Sequence, residues 1–316
     1  MSNRLFLSIG EAMVELSQEG GDLWRMGFAG DTLNTAWYAR AFLGEAWRVA
    51  YFSRLGTDPF SERMAGFLEA NGIGTGFIAR DPKRNVGLYS IELHEGERSF
   101  AYWRGQSAAR HLADDETALK AVIDAADLVY FSGITLAILA PDRRAFLLDE
   151  VARARRAGTT TVFDPNLRPA LWEDAATMRD WVRKAAATAA IALPSFDDEA
   201  AAFGDANLAA CASRWHEAGA GEVVVKNGGG PIALLDGEAR SEVIDCARVA
   251  PVDSTGAGDS FNGGYLAARL QGLAPAEAAR RAHALAARVI GRRGALMPMA
   301  ELVALRGSAP AAPLLR

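Results

Sequence analysis

Short apolar runs alternate with segments of helical periodicity along most of the chain. LFLSI at 5–9, DLVYFSGI at 127–134, TTVFDPN at 160–166, IALPS at 191–195 and EVVVKNG at 222–228 are apolar at most positions. Runs of this kind predict strands buried on both faces. Helical segments between them predict a parallel sheet covered by helices on both sides, an α/β fold. The helix signals are specific. Over 58–71, Asp58 is a good N-cap, Pro59 suits the first helical position, and Phe60, Met64, Phe67 and Leu68 fall on one face. Gly72 can close that helix, and a second helix is expected from Pro141 to about Ala157, stopped by Gly158.

Two regions break the alternation. VGLYSIEL at 86–93 and RSFAYW at 98–103 flank HEGE and predict a β-hairpin. Residues 11–29 carry no clear helical pattern and include a Gly-Gly pair at 20–21. Both are expected to project from the main sheet as a small β-lid over its mouth. The expected organisation is one domain over 1–316, with a discontinuous lid from about 11–30 and 77–108. The Ala/Pro-rich end, 307–316, is expected to be a loose tail.

Composition narrows the function classes. The chain has 316 residues, half of them hydrophobic, and a net charge of −5. That balance argues against nucleic acid or an anionic membrane surface as the main partner, and leaves room for an acidic small substrate in a locally positive site. Cys211 and Cys246 form no motif, so neither a disulfide scaffold nor a cysteine zinc site is expected. The four histidines, His94, His111, His216 and His283, have no metal-ligand spacing. The first residues lack a signal-peptide pattern, and the expectation is a cytoplasmic protein.

The candidate chemistry lies in VDSTGAGDSFNGGYL at 252–266. It is not a P-loop, because Gly263 is followed by Gly264 and Tyr265 rather than by lysine. It is not a dinucleotide fingerprint, because Phe261 stands where the third glycine belongs. Backbone N–H groups of Gly256, Ala257 and Gly258 at a helix start can still cradle an anion. Asp259 would sit beside that anion, ionised at its ordinary pKa of about 3.9, and could take the proton of an attacking hydroxyl. From the loop alone, a plain helix cap remains open for Asp259.

DSTGAGDSFNGGYL resembles the second signature of the ribokinase-like, phosphofructokinase B type carbohydrate kinases, and AGDTLNTA at 29–36 with Gly44 resembles the first. The resemblance spans nearly the whole chain, RRGA at 292–295 included. It implies a Rossmann-like three-layer α/β/α domain with a β-lid, ATP and Mg2+ as cofactors, and a monovalent cation such as K+ near Asp253 and Thr255. It implies Asp259 as catalytic base and Gly256, Ala257 and Gly258 as anion hole. Lys226 to Gly228 and the helix from His283 to Ile290 match regions lining the ATP pocket. The family's N-x-x-E is replaced here by Ser195 and Asp198, which places nucleotide contact at Ser195 and an indirect magnesium role at Asp198.

The substrate has to be read elsewhere. Gly30 would allow close approach, and Asp31 and Asn34 at a helix spanning roughly 31–43 suit a polyol, though Asp31 is equally a candidate cap. Tyr89 lies on the first hairpin strand. Tyr102 and Arg104 are two apart and therefore expected on one face. Arg168 follows the strand at 160–166 at its C-terminal end, where open α/β sheets bind ligands. Two arginines suggest an anionic substrate. AYWR at 101–104, GDTLNTAWY at 30–38, YFSGITLAIL at 130–139 and DPNLRPALW at 164–172 together resemble the 2-keto-3-deoxygluconate kinases. That resemblance implies transfer of the ATP γ-phosphoryl group to the 6-hydroxyl of a sugar acid. The alternatives are another sugar or keto-acid kinase, fructokinase included, and a non-catalytic sensor. Exposed strand edges on the lid suggest a homo-oligomer.

Overall fold

The computed structural model describes residues 4–94 and 97–306. The turn of the hairpin and the tail expected at 307–316 lie outside the described residues. The strands in chain order are β1 (Arg4–Ile9), β2 (Met13–Gly20), β3 (Leu23–Ala29), β4 (Trp47–Leu55), β5 (Ile73–Arg80), β6 (Gly87–His94) and β7 (Glu97–Trp103). They continue with β8 (Leu128–Ser132), β9 (Thr160–Asp164), β10 (Ile191–Ala192), β11 (Glu222–Val225), β12 (Ile232–Leu235) and β13 (Ser241–Ile244). Among the described residues, one sheet has nine strands in the order β13-β12-β11-β10-β9-β8-β1-β4-β5, and a separate sheet has the order β3-β2-β6-β7.

The helices are α1 (Asp31–Phe42), α2 (Pro59–Ala70), α3 (Glu116–Asp124), α4 (Gly133–Ile138), α5 (Pro141–Arg156) and α6 (Ala175–Ala186). The rest are α7 (Phe196–Phe203), α8 (Leu208–Glu217), α9 (Ala257–Leu270), α10 (Pro275–Val289) and α11 (Met299–Arg306). Alternation along each strand sends side chains to both faces. Phe6, Tyr130 and Val162 pack into one core with residues of α1, α9 and α10. Leu5, Leu7, Val129 and Phe131 pack into the other with residues of α3, α5, α6 and α8. The three-layer α/β/α architecture expected from the sequence is what the chain adopts.

The sheet is parallel from β11 through β5, but β11, β12 and β13 run antiparallel. The expectation of a wholly parallel sheet is corrected here. The links between these edge strands are too short to hold a crossover helix, so they must fold back as hairpins. Several strands are also shorter than their apolar runs. DLVYFSGI stops at Ser132, because the Ser132 side chain accepts from Thr135 N and a capping box opens α4 at Gly133. The run at 160–166 stops at Asp164 before Pro165, that at 191–195 at Ala192, and that at 222–228 at Val225. Residues 77–80 pair with β4 in the large sheet, so the second arm of the small sheet begins at Gly87 rather than at 77.

Helix α2 begins as expected, with Asp58 accepting from Phe60 N and Ser61 N and Pro59 behind it. Of its expected apolar face, Met64 and Leu68 are buried, Phe67 stacks on Trp37, and Phe60 is exposed instead. Among the described residues, no helix is long and apolar enough to cross a membrane.

Candidate active site

The chemistry gathers where parallel strands end and helices begin. Asp164 is the last residue of β9, Lys226 directly follows β11, Asp31 opens α1 and Asp259 is the third residue of α9. Gly256 is the N-cap of α9, in the left-handed region at φ 76°, which a residue with a Cβ adopts only with strain. The N–H groups at this end have no intrahelical partner and are suited to an anion. Asp253 holds the loop in place. Its carboxylate accepts from Thr255 N at 2.9 Å and from Gly294 N at 2.7 Å.

Gly263 explains how two helices bring their side chains together. A Cβ there would lie 2.6 Å from both Thr35 O and Tyr38 Cβ of α1. Only a residue without that atom lets α9 lie so close. Asn34 on α1 then donates through Nδ2 to Asp259 Oδ2 at 2.8 Å. Asp259 and Asn262 are three apart, hence on one helix face. Asn262 Nδ2 donates to Asp164 Oδ2 at 2.6 Å, while Lys226 Nζ donates to that same oxygen and to Asn262 Oδ1, each at 3.1 Å. Tyr130 joins this network: its hydroxyl oxygen accepts from Asn262 Nδ2 and from Thr35 Oγ1. On the other side, Asn166 Nδ2 donates to Asp31 Oδ2 at 2.9 Å. Asn166 has φ 32°, which an asparagine tolerates better than most residues.

Three carboxylates therefore share a poorly solvated space with one ammonium. Burial first, then the Asp31 carboxylate, push Asp259 up to about 8, against the hydrogen bond from Asn34. Burial also raises Asp31. The expectation of an ordinary, fully ionised Asp259 at neutral pH is corrected: desolvation and like charge hold a proton on it. Once ionised, such a carboxylate is a stronger base than an ordinary aspartate, and it sits beside helix-start N–H groups suited to an anion.

Known proteins decide the family. The model of the pfkB family carbohydrate kinases matches residues 4–301. The chain belongs to the pfkB family of carbohydrate kinases. It is 40% identical to a 2-dehydro-3-deoxygluconokinase of Dickeya dadantii, over 96% of this chain and 100% of that one. It is 30% identical to a fructokinase of Vibrio alginolyticus, over 70% of each chain. In structure it resembles a ribokinase II from E. coli in complex with ATP and Mg2+, at a TM-score of 0.81 and 22% identity, over 95% of this chain and 97% of that one. The 2-dehydro-3-deoxygluconokinases are the 2-keto-3-deoxygluconate kinases under another name.

The kinase's remaining expected site residues are spread more widely. Tyr89 is buried on β6, donates its hydroxyl hydrogen to Glu15 Oε2 and stacks on Tyr102 at 5.8 Å. Tyr102 itself is 55% exposed, whereas Arg104, just past the end of β7, is buried. Arg104 already holds a carboxylate, that of Glu11. Arg168 is half-exposed, donates to Leu167 O, and lies 3.8 Å from Asp198. The two guanidiniums thus meet different partners. Gly30 is the N-cap of α1 and Asp31 its first residue, so the capping alternative for Asp31 does not hold. Ser195 caps α7 without a side-chain hydrogen bond and bridges Lys226, and Gly228 is left-handed just beyond. His283 Nε2 hydrogen-bonds Ala247 O at 2.8 Å.

Asp164, Asn166, Asn262 and Glu11 went unread as site residues. DPN at the end of an apolar strand and an asparagine three residues after Asp259 were available signals. Glu11 follows β1 as an ordinary acidic residue and gave none.

Proposed function

We propose that this kinase transfers the γ-phosphoryl group of ATP to the 6-hydroxyl of 2-keto-3-deoxy-D-gluconate. The observation that carries the substrate is the 40% identity to a 2-dehydro-3-deoxygluconokinase over 96% of the chain. Asp259, at the start of α9, accepts the hydroxyl proton in its ionised form, the fraction of which grows as pH approaches about 8. The hydroxyl oxygen bonds to the γ-phosphorus while the bond to the β,γ-bridging oxygen breaks, leaving ADP. N–H groups of Gly256, Ala257 and Gly258 receive the charge on the phosphoryl oxygens. Asp31 and Asn34 orient the sugar hydroxyls, with Gly30 allowing approach. Tyr89 and Tyr102 wall the sugar from the small sheet, which acts as a lid of strands from 13–29 and 87–103. Arg104 and Arg168 take the substrate carboxylate.

ATP lies along Ser195, Lys226 and Gly228, with His283 on the far side. The donor set at the start of α7 fits magnesium indirectly: Asp198 is part-exposed, its carboxyl is raised by burial, and Arg168 is 3.8 Å away. Magnesium there would neutralise phosphate oxygens. A monovalent cation such as K+ belongs beside Asp253 and Thr255, which a titration of activity with KCl tests. Leu23, Phe100, Tyr102 and Trp103 of the small sheet are exposed, which supports a homo-oligomer through that sheet. Light scattering on the Trp103→Glu variant tests it.

The test of function is a coupled ADP-release assay with 2-keto-3-deoxygluconate, 2-keto-3-deoxygalactonate and fructose. A preference for fructose would select the second reading. The Glu11–Arg104 pair favours that reading, since it leaves Arg104 less charge to offer an acid.

A further inference from the structure

The four strands of the small sheet leave the body of the protein around one ion pair. Glu11 stands in the link between β1 and β2, and Arg104 directly follows β7. The side chain of Glu11 is fully buried and that of Arg104 is 10% exposed. Arg104 donates from Nε to Glu11 Oε2 at 2.8 Å and from Nη2 to the same oxygen. Its Nη1 meets no hydrogen-bond partner among the described residues. Gly87, which opens β6, closes the crossing: a Cβ there would lie 2.8 Å from Glu11 Oε1, 3.1 Å from Met13 Cγ and 3.4 Å from Arg104 Cβ. Behind Glu11 runs Gly30, whose Cβ would meet Glu11 O at 2.4 Å, and Gly30 carries Asp31 into α1. Tyr51, which shares a hydrogen bond with Thr32 of α1, feels the charges of Asp31, Glu11 and Arg104 together.

We propose that Glu11 is a positioning residue for the sugar site: it holds Arg104 by Nε and Nη2 so that only Nη1 is turned to the substrate. Glu11 does not touch the sugar, because both of its carboxylate oxygens are enclosed; Oε1 is buried without a partner. Its effect passes through Arg104. Burial of the pair gives little net stability, but it fixes one orientation of a side chain that otherwise has many rotamers. The proposal rests on the sugar-acid reading only for what Nη1 meets, a carboxylate or a hydroxyl.

The test is a double-mutant cycle on the purified full chain, with KM for sugar, KM for ATP and kcat read separately. Glu11→Gln keeps the shape and removes the charge. It should raise KM for the sugar about tenfold or more, as loss of a charge-assisted contact does, and change KM for ATP less than about twofold. In an Arg104→Gln background the same substitution should add less than about twofold. An equal effect in both backgrounds, or a parallel rise of both KM values, overturns the proposal. Should Glu11→Gln fail to fold, Glu11→Asp is read in the same cycle. The cycle is run on whichever sugar the wild type phosphorylates fastest. A preference for fructose therefore refutes the sugar acid without deciding Glu11, and an uncoupled cycle refutes Glu11 whatever the sugar.

Discussion

The floor of the site and the small sheet above it are built on different terms. In the floor, Asp259, Asn34, Asp164, Lys226, Asn262 and Tyr130 are cross-bonded on helices and strands of the large sheet. Each polar group there has a partner, so the charges are held and little needs to reorganise during reaction. Above it, the small sheet presents Tyr102 and Trp103 to solvent, and the buried Arg104 just past its end is tied to Glu11. The floor suits bond making, which tolerates little displacement. The small sheet suits recognition, where a side chain can be exchanged without disturbing the reaction type.

That division predicts the largest effect at Asp259. Asp259→Asn preserves size and hydrogen bonding and should lower kcat by a factor on the order of 10²–10⁴, with KM for the sugar little changed. An unaltered kcat would return Asp259 to a structural role. The next effect is on pH. With Asp259 pushed up to about 8, kcat/KM should rise about tenfold per pH unit toward that value and level off above it. In the Asp259→Asn variant the residual rate should lose this limb. A flat wild-type profile between pH 6 and 8 would mean that the carboxyl ionises at its ordinary value.

The contrast then moves to the recognition side. Arg168→Ala should raise KM for the sugar acid about tenfold or more, the usual effect of losing a charge-assisted hydrogen bond, and leave the fructose rate unchanged. Equal effects on both sugars would make Arg168 a partner of Asp198 only.

The same contrast sets how much the sequence disclosed. The glycine-rich loop with Asp259 was readable from the N–H groups of Gly256, Ala257 and Gly258 at a helix start and from its resemblance to a family signature, whereas the close helix approach at Gly263 was not. The helices flanking the sheet were readable from Asp58, Pro59 and Pro141. The antiparallel strands β12 and β13 were not, since four-residue apolar runs such as IALL look alike in either direction. The electrostatic state of Asp259 was not readable either. It depends on Asp31 and Asp164, which lie 228 and 95 positions away along the chain. Glu11 and Arg104 are separated by 93 positions and meet only because four strand roots cross.

The last predicted effect is on stability, and it runs opposite to the effect on activity. A carboxyl that titrates near 8 in the folded chain and near 3.9 in the unfolded chain binds more proton when folded throughout that window. Stability from this group is therefore full below about 4, falls as pH rises, and levels off above about 8. Asparagine carries no such dependence. Asp259→Asn should match the wild type near pH 4.5 and exceed it near pH 8.5 by several kcal/mol, since each unit between the folded and unfolded pKa is worth about 1.4 kcal/mol. Scanning calorimetry at the two pH values should show a rise of several degrees in Tm at the higher one alone. Glu199, pushed up to about 7 by burial, titrates in the same window. It is present in both proteins, so it cancels in the difference. A gap in Tm that is the same at both pH values would place the proton of Asp259 in solution rather than in the site.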